Sequence, residues 1–166
     1  MPLGAFRLNF IGKVLTTAPA AVTWDDPYTI REAAMYYDSS AQTGSNSNKG
    51  VYVGDSGTKL YILEQNDVIY QYTLSTAYDI TSASYASKSF STSAEGDVKE
   101  DFWISSDGTR LFQVGRVLDQ VRSYTMSSAW DISTASYDSK SLDVNAKETA
   151  PRALTLSSDG SELYIA

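Results

Sequence analysis

The chain has 166 residues, of which 42% are hydrophobic and 20% are charged, and this composition predicts a single globular domain. It contains no cysteine and no histidine, which excludes disulfides, thiolate nucleophiles, cysteine-based zinc sites and Ser-His-Asp catalysis. The net charge is −7, and because residues 1–49 hold four basic and four acidic residues, the excess lies in residues 50–166. Such an acidic region repels phosphate backbones, so we expect no nucleic-acid partner. No apolar run approaches the roughly 20 residues of a spanning helix, so we expect no membrane insertion.

Residues 1–23 are predicted to form a separate N-terminal arm. The first 15 residues, MPLGAFRLNFIGKVL, contain no acidic residue and lead into the small-residue stretch TTAPAA. An apolar arm of this kind either packs on its own domain or docks into a neighbouring subunit, and the residues leave both readings open. Residues 24–49 are predicted to be a degenerate partial repeat and a linker, because WD at 24–25 and YDS at 37–39 recur at 130–131 and 137–139.

From residue 50 onward the chain repeats itself. Gly57, Gly108 and Gly160 are spaced by 51 and 52 residues, and each lies in a related stretch, DSGTKLYIL, SDGTRLFQV or SDGSELYIA. Further markers separated by 52 residues are the pairs Tyr72 and Tyr124, Tyr78 and Trp130, Tyr85 and Tyr137, and Lys88 and Lys140. Such agreement predicts a tandem structural unit of about 52 residues.

Each unit contains four short β-rich runs, which in the second unit are DFWISS (101–106), TRLFQV (109–114), QVRSYTM (120–126) and YDSKSLDV (137–144). The Asp107-Gly108 pair between the first two runs predicts a two-residue hairpin turn, because glycine accepts a positive φ. Four strands in about 50 residues are typical of a propeller blade. The fold class is therefore predicted to be all-β, with tandem four-stranded blades.

The predicted ring is incomplete. Residues 50–166 supply two full blades and an opening hairpin at 153–166, with one further strand near Tyr37. Propellers close with roughly four to eight blades. The sequence is therefore expected to be part of a longer protein, or else several chains share one ring as a homo-oligomer.

Several recurring residues are candidates for a site. Asp55, Asp107 and Asp159 lie beside glycine, where aspartate favours turn geometry, so we expect them to shape turns and bind no metal. Tyr78 and Trp130 precede an Asp-Ile pair in a long loop; they are candidate glycan-binding residues, and the alternative is that they anchor the loop against a neighbouring blade.

Glu100 and Asp101 are adjacent and would point in different directions on a strand, which makes them weak candidates for acid–base work. Lys88 and Lys140 are expected on an exposed strand edge.

The motifs SSDGTRLF and SSDGSELYIA, with the loop AWDISTASYDSKS, resemble YVTN/lactonase-like and WD-type propeller repeats, in the version found in tail and surface proteins of marine bacteriophages. The opening MPLGAFRLNFIGK is similar to a short segment that heads structural proteins of marine phages. The propeller resemblance covers residues 50–166, and the N-terminal one about 13 residues.

These resemblances imply a virion structural protein that displays a propeller for host attachment or particle decoration. The N-terminal segment would dock onto tail, portal or capsid proteins, with Leu3, Phe6, Leu8 and Phe10 as apolar anchors and Arg7 as the polar contact. A host-surface glycan is the other implied partner, the particle surface is the implied location, and no cofactor is implied. With no histidine and no clustered carboxylates in view, we expect a non-enzymatic protein; the alternative is a lactonase-like or glycan-processing enzyme.

Overall fold

The computed structural model describes residues 47–157 and 159–166, together with the backbone of two short strands, Val22–Thr23 (β1) and Thr29–Ile30 (β2), which pair with each other. The predicted docking residues lie outside the described residues, and their role stays a prediction. They are Leu3, Phe6, Arg7, Leu8 and Phe10.

The repeat folds as two four-stranded antiparallel sheets followed by a hairpin, which confirms the predicted all-β, propeller-type architecture of two full blades and a partial one. Blade 1 consists of β3 (Asn48–Gly54), β4 (Lys59–Glu64), β5 (Val68–Leu74) and β6 (Ala83–Ser91). Blade 2 consists of β7 (Lys99–Ile104), β8 (Arg110–Gly115), β9 (Gln120–Met126) and β10 (Ala135–Asp143). The third hairpin consists of β11 (Leu154–Leu156) and β12 (Leu163–Ile165).

Helical structure in the described part of the chain is confined to single 3-10 turns, one of which, Ile132–Thr134, lies in the loop between β9 and β10. None of the helical segments described is long and apolar enough to cross a membrane.

The core lies between the blades. Both faces of blade 2 are covered, which explains why its strands carry apolar residues at consecutive positions. The joint between blades 1 and 2 is filled by fully buried apolar side chains, among them Tyr61, Leu63, Ile69, Ile104, Leu111, Tyr124 and Ile132. The other face of blade 2 packs on the third hairpin through Val114, Val121, Val144 and Leu154.

The first strands of successive units lie beside one another: β3 packs against β7, and β7 against β11. In a propeller, the blades surround a central channel. Each first strand is therefore the innermost strand of its blade, next to the propeller axis. The remaining strands of the blade extend outward from it.

The turn between β7 and β8 differs from the predicted two-residue hairpin. Five residues, 105–109, separate the strands, and the N–H of Gly108 donates to the carbonyl of Ser105 at 2.8 Å. The Oδ1 of Asp107 accepts from the N–H of Thr109 at 3.0 Å and from the hydroxyl of Ser105 at 2.5 Å. The prediction that this aspartate shapes a turn is confirmed. The hydrogen bonds lower the pKa of Asp107, and the equivalent bonds at Asp159 lower its pKa to about 2.

Each outermost strand contains a bulge at the same position of the repeat. In blade 1, residues 86 and 87 are inserted between the pairs Gln71–Lys88 and Tyr72–Tyr85. In blade 2, residues 138 and 139 are inserted between Ser123–Lys140 and Tyr124–Tyr137. The second residue of each bulge has a positive φ, 56° at Ser87 and 57° at Ser139. The two bulges are therefore structurally equivalent residue by residue.

A buried carboxylate, Asp97, ties the connection between the blades to the turn between β8 and β9. It is 6% exposed, and its Oδ1 accepts from the backbone N–H groups of Val98 at 2.8 Å, Val117 at 3.0 Å and Leu118 at 3.2 Å. The carboxylate lies over Gly115, where an added Cβ would be 2.0 Å from its Oδ2. Both the turn and the connection thus depend on this side chain.

We expect Asp97→Ala to lower the free energy of unfolding by about 2 to 3 kcal/mol, because three backbone donors lose a charged acceptor. Asp97→Asn keeps a carbonyl oxygen at Oδ1 and is expected to cost less. Urea unfolding of the two variants checks this, and equal losses would show that the charge of Asp97, and not its acceptor oxygen alone, provides the stability.

Candidate functional site

The two loop aromatics have the same local geometry. Tyr78 and Trp130 have φ of 63° and 61°, in the left-handed region that bulky residues rarely occupy. The N–H of each donates to the carbonyl of the glycine in its own blade's first turn, Tyr78 to Gly57 and Trp130 to Gly108, both at 2.9 Å. A Cβ on either glycine would lie 2.5 or 2.4 Å from the ring. In each blade the aromatic ring therefore packs directly on the glycine of the first turn, where a side chain would clash with it.

Trp130 has a second contact that Tyr78 lacks within the described residues. Its indole also covers Gly54, in the neighbouring blade, where an added Cβ would be 2.3 Å from the ring. Gly54 has φ −130°, which any residue can adopt, so it is the indole that requires a glycine here. Tyr78 is 63% exposed. The anchoring reading thus describes Trp130, while glycan binding by either residue stays a prediction.

The loop that carries Trp130 is fixed to blade 1 by three polar contacts. The hydroxyl of Tyr61 donates to the carbonyl of Trp130 at 2.8 Å, and the N–H of Ile132 donates to Oε1 of Gln71 at 2.9 Å. Nζ of Lys88 lies 2.6 Å from Oδ2 of Asp131. Burial raises the pKa of Asp131, but the hydrogen bonds from Lys88 and Ser133 and the Lys88 charge outweigh it and lower that pKa. Lys88 lies on the edge strand of blade 1, as predicted, and its side chain also bridges two blades.

These contacts border a cleft of about 360 Å³ between blade 1 and the loop of blade 2, which we call the interblade cleft. Its walls combine the indole of Trp130 with two lysines, two aspartates and small polar groups. The lining residues are Asp55, Lys59, Gln71, Thr73, Ala86, Lys88, Ser128, Ala129, Trp130 and Asp131.

A second polar site lies at the opposite end of the first strands. Lys49, Glu100 and Arg152 occupy equivalent positions of three successive units, 51 and 52 residues apart, at or just before the start of the first strand. Oε1 of Glu100 lies 3.7 Å from Nζ of Lys49 and 2.7 Å from Nε of Arg116, and its Oε2 lies 3.6 Å from Arg152. We call these four residues the axial cluster. It holds one carboxylate among three cations.

Of the acids next to the axial cluster, Asp67 contacts it, with Oδ1 at 3.9 Å from Nζ of Lys49, whereas Asp101 has other partners. Asp101 accepts from the N–H of Phe102 at 2.9 Å and of Leu154 at 3.1 Å, and burial raises its pKa in spite of these bonds. Glu100 and Asp101 thus point to different partners, as the sequence indicated. Burial and the nearby charge of Arg122 lower the pKa of Lys99, whose backbone carbonyl accepts from Lys49 at 2.7 Å. Among the described residues, no group of three acidic side chains is placed to hold a metal ion.

The axial cluster was not predicted from the sequence, because Glu100 was considered only as a pair with the adjacent Asp101. The signal that could have found it is the repeat itself, since the spacing that aligns the three glycines also aligns Lys49, Glu100 and Arg152. Because the first strands of successive blades lie beside one another, charged residues at equivalent positions of these strands come close together.

No protein-family model matches the chain, and no curated protein matches it significantly. Solved structures do. A protein assigned as a 6-phosphogluconolactonase from Bacteroides fragilis matches with a TM-score of 0.52 and 14% identity, over 72% of this chain and 31% of that one. Another with the same assignment, from Bacteroides uniformis, matches with a TM-score of 0.55 and 11% identity, over 76% and 35%. The periplasmic gluconolactonase of Pseudomonas aeruginosa matches with a TM-score of 0.50 and 18% identity, over 69% and 32%.

The chain shares a lactonase-like propeller fold with these proteins and spans about a third of their length. Because all three are named as enzymes, they contradict the prediction of a non-enzymatic protein. That prediction relied on the absence of histidine and of clustered carboxylates, yet a single glutamate or aspartate can also act as a general acid or base. Identities of 11 to 18% show the fold alone, and nothing in these matches points to a phage.

Proposed function

We propose that the chain is part of a propeller hydrolase that opens the ring of a sugar lactone. The observation that carries the proposal is the fold that it shares with three structures named as gluconolactonases or 6-phosphogluconolactonases. Because the chain spans about a third of their length, the activity would belong to the complete propeller, to which this chain contributes two blades and a hairpin.

The axial cluster supplies groups that suit this reaction. A carboxylate such as Glu100 takes a proton from water, and the water oxygen bonds to the carbonyl carbon of the lactone. The ring C–O bond then breaks, and the ring oxygen takes a proton from the carboxyl group, which yields a hydroxy acid. Neighbouring cations stabilise the oxyanion that forms in the transition state. Arg152, whose side chain is 66% exposed, remains accessible to an anionic substrate.

The test is the release of acid from D-glucono-δ-lactone and from its 6-phosphate by the purified natural protein in lightly buffered solution. We expect hydrolysis faster than the spontaneous reaction, with many turnovers per protein molecule. A rate equal to that of buffer for both lactones would reject the hydrolase proposal.

Display on a phage particle is compatible with a hydrolase and stays a prediction based on the N-terminal segment. Removing residues 1–13 is expected to abolish incorporation into particles, because the apolar anchors of the arm are lost. Immunoblotting of purified particles measures this, and a truncated protein that is incorporated at the normal level would contradict the docking role.

A further inference from the structure

A carboxylate fills a polar recess on the outer strands of blade 2. Asp138, the first residue of the β10 bulge, accepts from the hydroxyl of Thr125 at 2.7 Å and from that of Ser123 at 2.9 Å. Its Oδ2 also lies 3.1 Å from NH1 of Arg110. Burial raises the pKa of Asp138, but the two hydroxyls and the arginine charge outweigh it and lower that pKa. The recess is thus a three-donor site for an ionised carboxylate.

Blade 1 has the same recess without the carboxylate. The β6 bulge is equivalent to the β10 bulge, and Ala86 stands where blade 2 has Asp138. The repeat places Lys59 at the position of Arg110, Gln71 at that of Ser123 and Thr73 at that of Thr125. All four blade 1 residues line the interblade cleft. A basic side chain and two polar ones are retained, and a methyl group replaces the acid.

The donors of this recess are not committed elsewhere. No salt bridge of Lys59 occurs within residues 47–157 and 159–166. Gln71 uses its carbonyl oxygen to accept from the N–H of Ile132, which leaves its amide N–H groups as donors. The two acids of the cleft have partners of their own, since Asp131 pairs with Lys88 and Asp55 accepts from the hydroxyl of Thr58 at 2.9 Å. Of the two lysines that line the cleft, Lys88 is therefore ion-paired, and Lys59 has no ion pair among the described residues.

We propose that the interblade cleft binds a small carboxylic acid of sugar size, whose carboxylate takes the place that Asp138 occupies in blade 2. A water molecule takes up about 30 Å³, so a cleft of about 360 Å³ has room for more than a carboxylate. The indole of Trp130 contributes apolar surface to the lining, and Ser128 contributes a polar residue. A sugar acid fits this lining. This site lies at the other end of the blades from the axial cluster, and it does not depend on the hydrolase proposal.

Nuclear magnetic resonance titration with D-gluconate tests the proposal, with D-glucose as the uncharged control. The indole N–H signal of Trp130, assigned through Trp130→Phe, reports on the cleft and separates this site from binding elsewhere. We expect D-gluconate to shift this signal saturably and D-glucose to shift it at least tenfold more weakly. Equal responses to the two ligands would overturn the proposal, because the carboxylate would then be unnecessary for binding. The absence of any shift with D-gluconate would also overturn it.

Three variants make the test specific. Ala86→Asp supplies the carboxylate from the chain, as blade 2 does, and is expected to weaken D-gluconate binding at least tenfold without lowering the melting temperature. Lys59→Arg reproduces the residue of blade 2 and is expected to retain binding, whereas Lys59→Gln is expected to lose it. Unchanged binding by Ala86→Asp would refute the proposed position of the carboxylate. If that variant failed to fold, the comparison of Lys59→Arg with Lys59→Gln would decide.

Discussion

Replacing Trp130 by alanine is expected to lower the free energy of unfolding by about 3 to 5 kcal/mol. The indole lies between Gly108 of its own blade and Gly54 of blade 1, so its removal opens a cavity at the joint that these two blades share. The loss of this ring also weakens the support for the adjacent loop, whose Ile132 is fully buried in the same core. Chemical unfolding followed by circular dichroism measures the change.

Tyr78→Ala is the matched control, because Tyr78 has the same backbone geometry and the same glycine beneath it. Its ring is 63% exposed, so we expect a loss below about 1 kcal/mol. A loss at Tyr78 as large as that at Trp130 would show that the left-handed turn, and not the contact between blades, determines stability.

Gly54→Ala tests the contact from its other side. The added methyl group overlaps the indole and is expected to cost about 1 to 3 kcal/mol in the natural sequence. In a Trp130→Ala background, the same change should cost little, because the space is then open. Additive effects in this double-mutant cycle would contradict direct packing of the indole on Gly54.

The fold was predictable because its signals are local and repeated. Every blade brings the same alternation of strands and turns, so the spacing of Gly57, Gly108 and Gly160 sets the register of the whole region. The turn at 105–109 was predicted too short, since Asp-Gly serves two-residue and longer hairpins alike, and the choice depends on the hydroxyl of Ser105 binding Asp107.

The sites were less predictable, since they depend on which residues the repeat brings together and on where it breaks. Trp130 and Tyr78 occupy the same position of the repeat, so the sequence does not distinguish them. In the structure, Trp130 packs against the neighbouring blade, whereas Tyr78 is exposed. The repeat has YDSKS in blade 2 and YASKS in blade 1, and this single difference matters because the two bulges place Asp138 and Ala86 at equivalent positions of their blades. The environment of Glu100 depends on cations from two other units, Lys49 and Arg152.

The Glu100→Gln variant is the sharpest test of the axial cluster as the site of lactone hydrolysis. Glutamine keeps the shape of the side chain and the acceptor that faces Arg116, but it cannot take a proton from water. We expect kcat to fall by about 100-fold to 10,000-fold, the usual contribution of a general base. Initial rates of acid release over a range of lactone concentrations give kcat and KM separately.

Arg152→Gln should act differently, because an exposed cation that holds an anionic substrate contributes mainly to binding. We expect its KM for the 6-phosphate lactone to rise more than its kcat falls. Glu162→Gln, on the third hairpin and away from the cluster, is the control for the loss of one acid and should leave both constants unchanged.

If Glu100→Gln retained the full kcat while the natural protein hydrolysed lactones, the hydrolase proposal would stand and its base would have to be sought outside the axial cluster. The two parts of the proposal can thus fail independently.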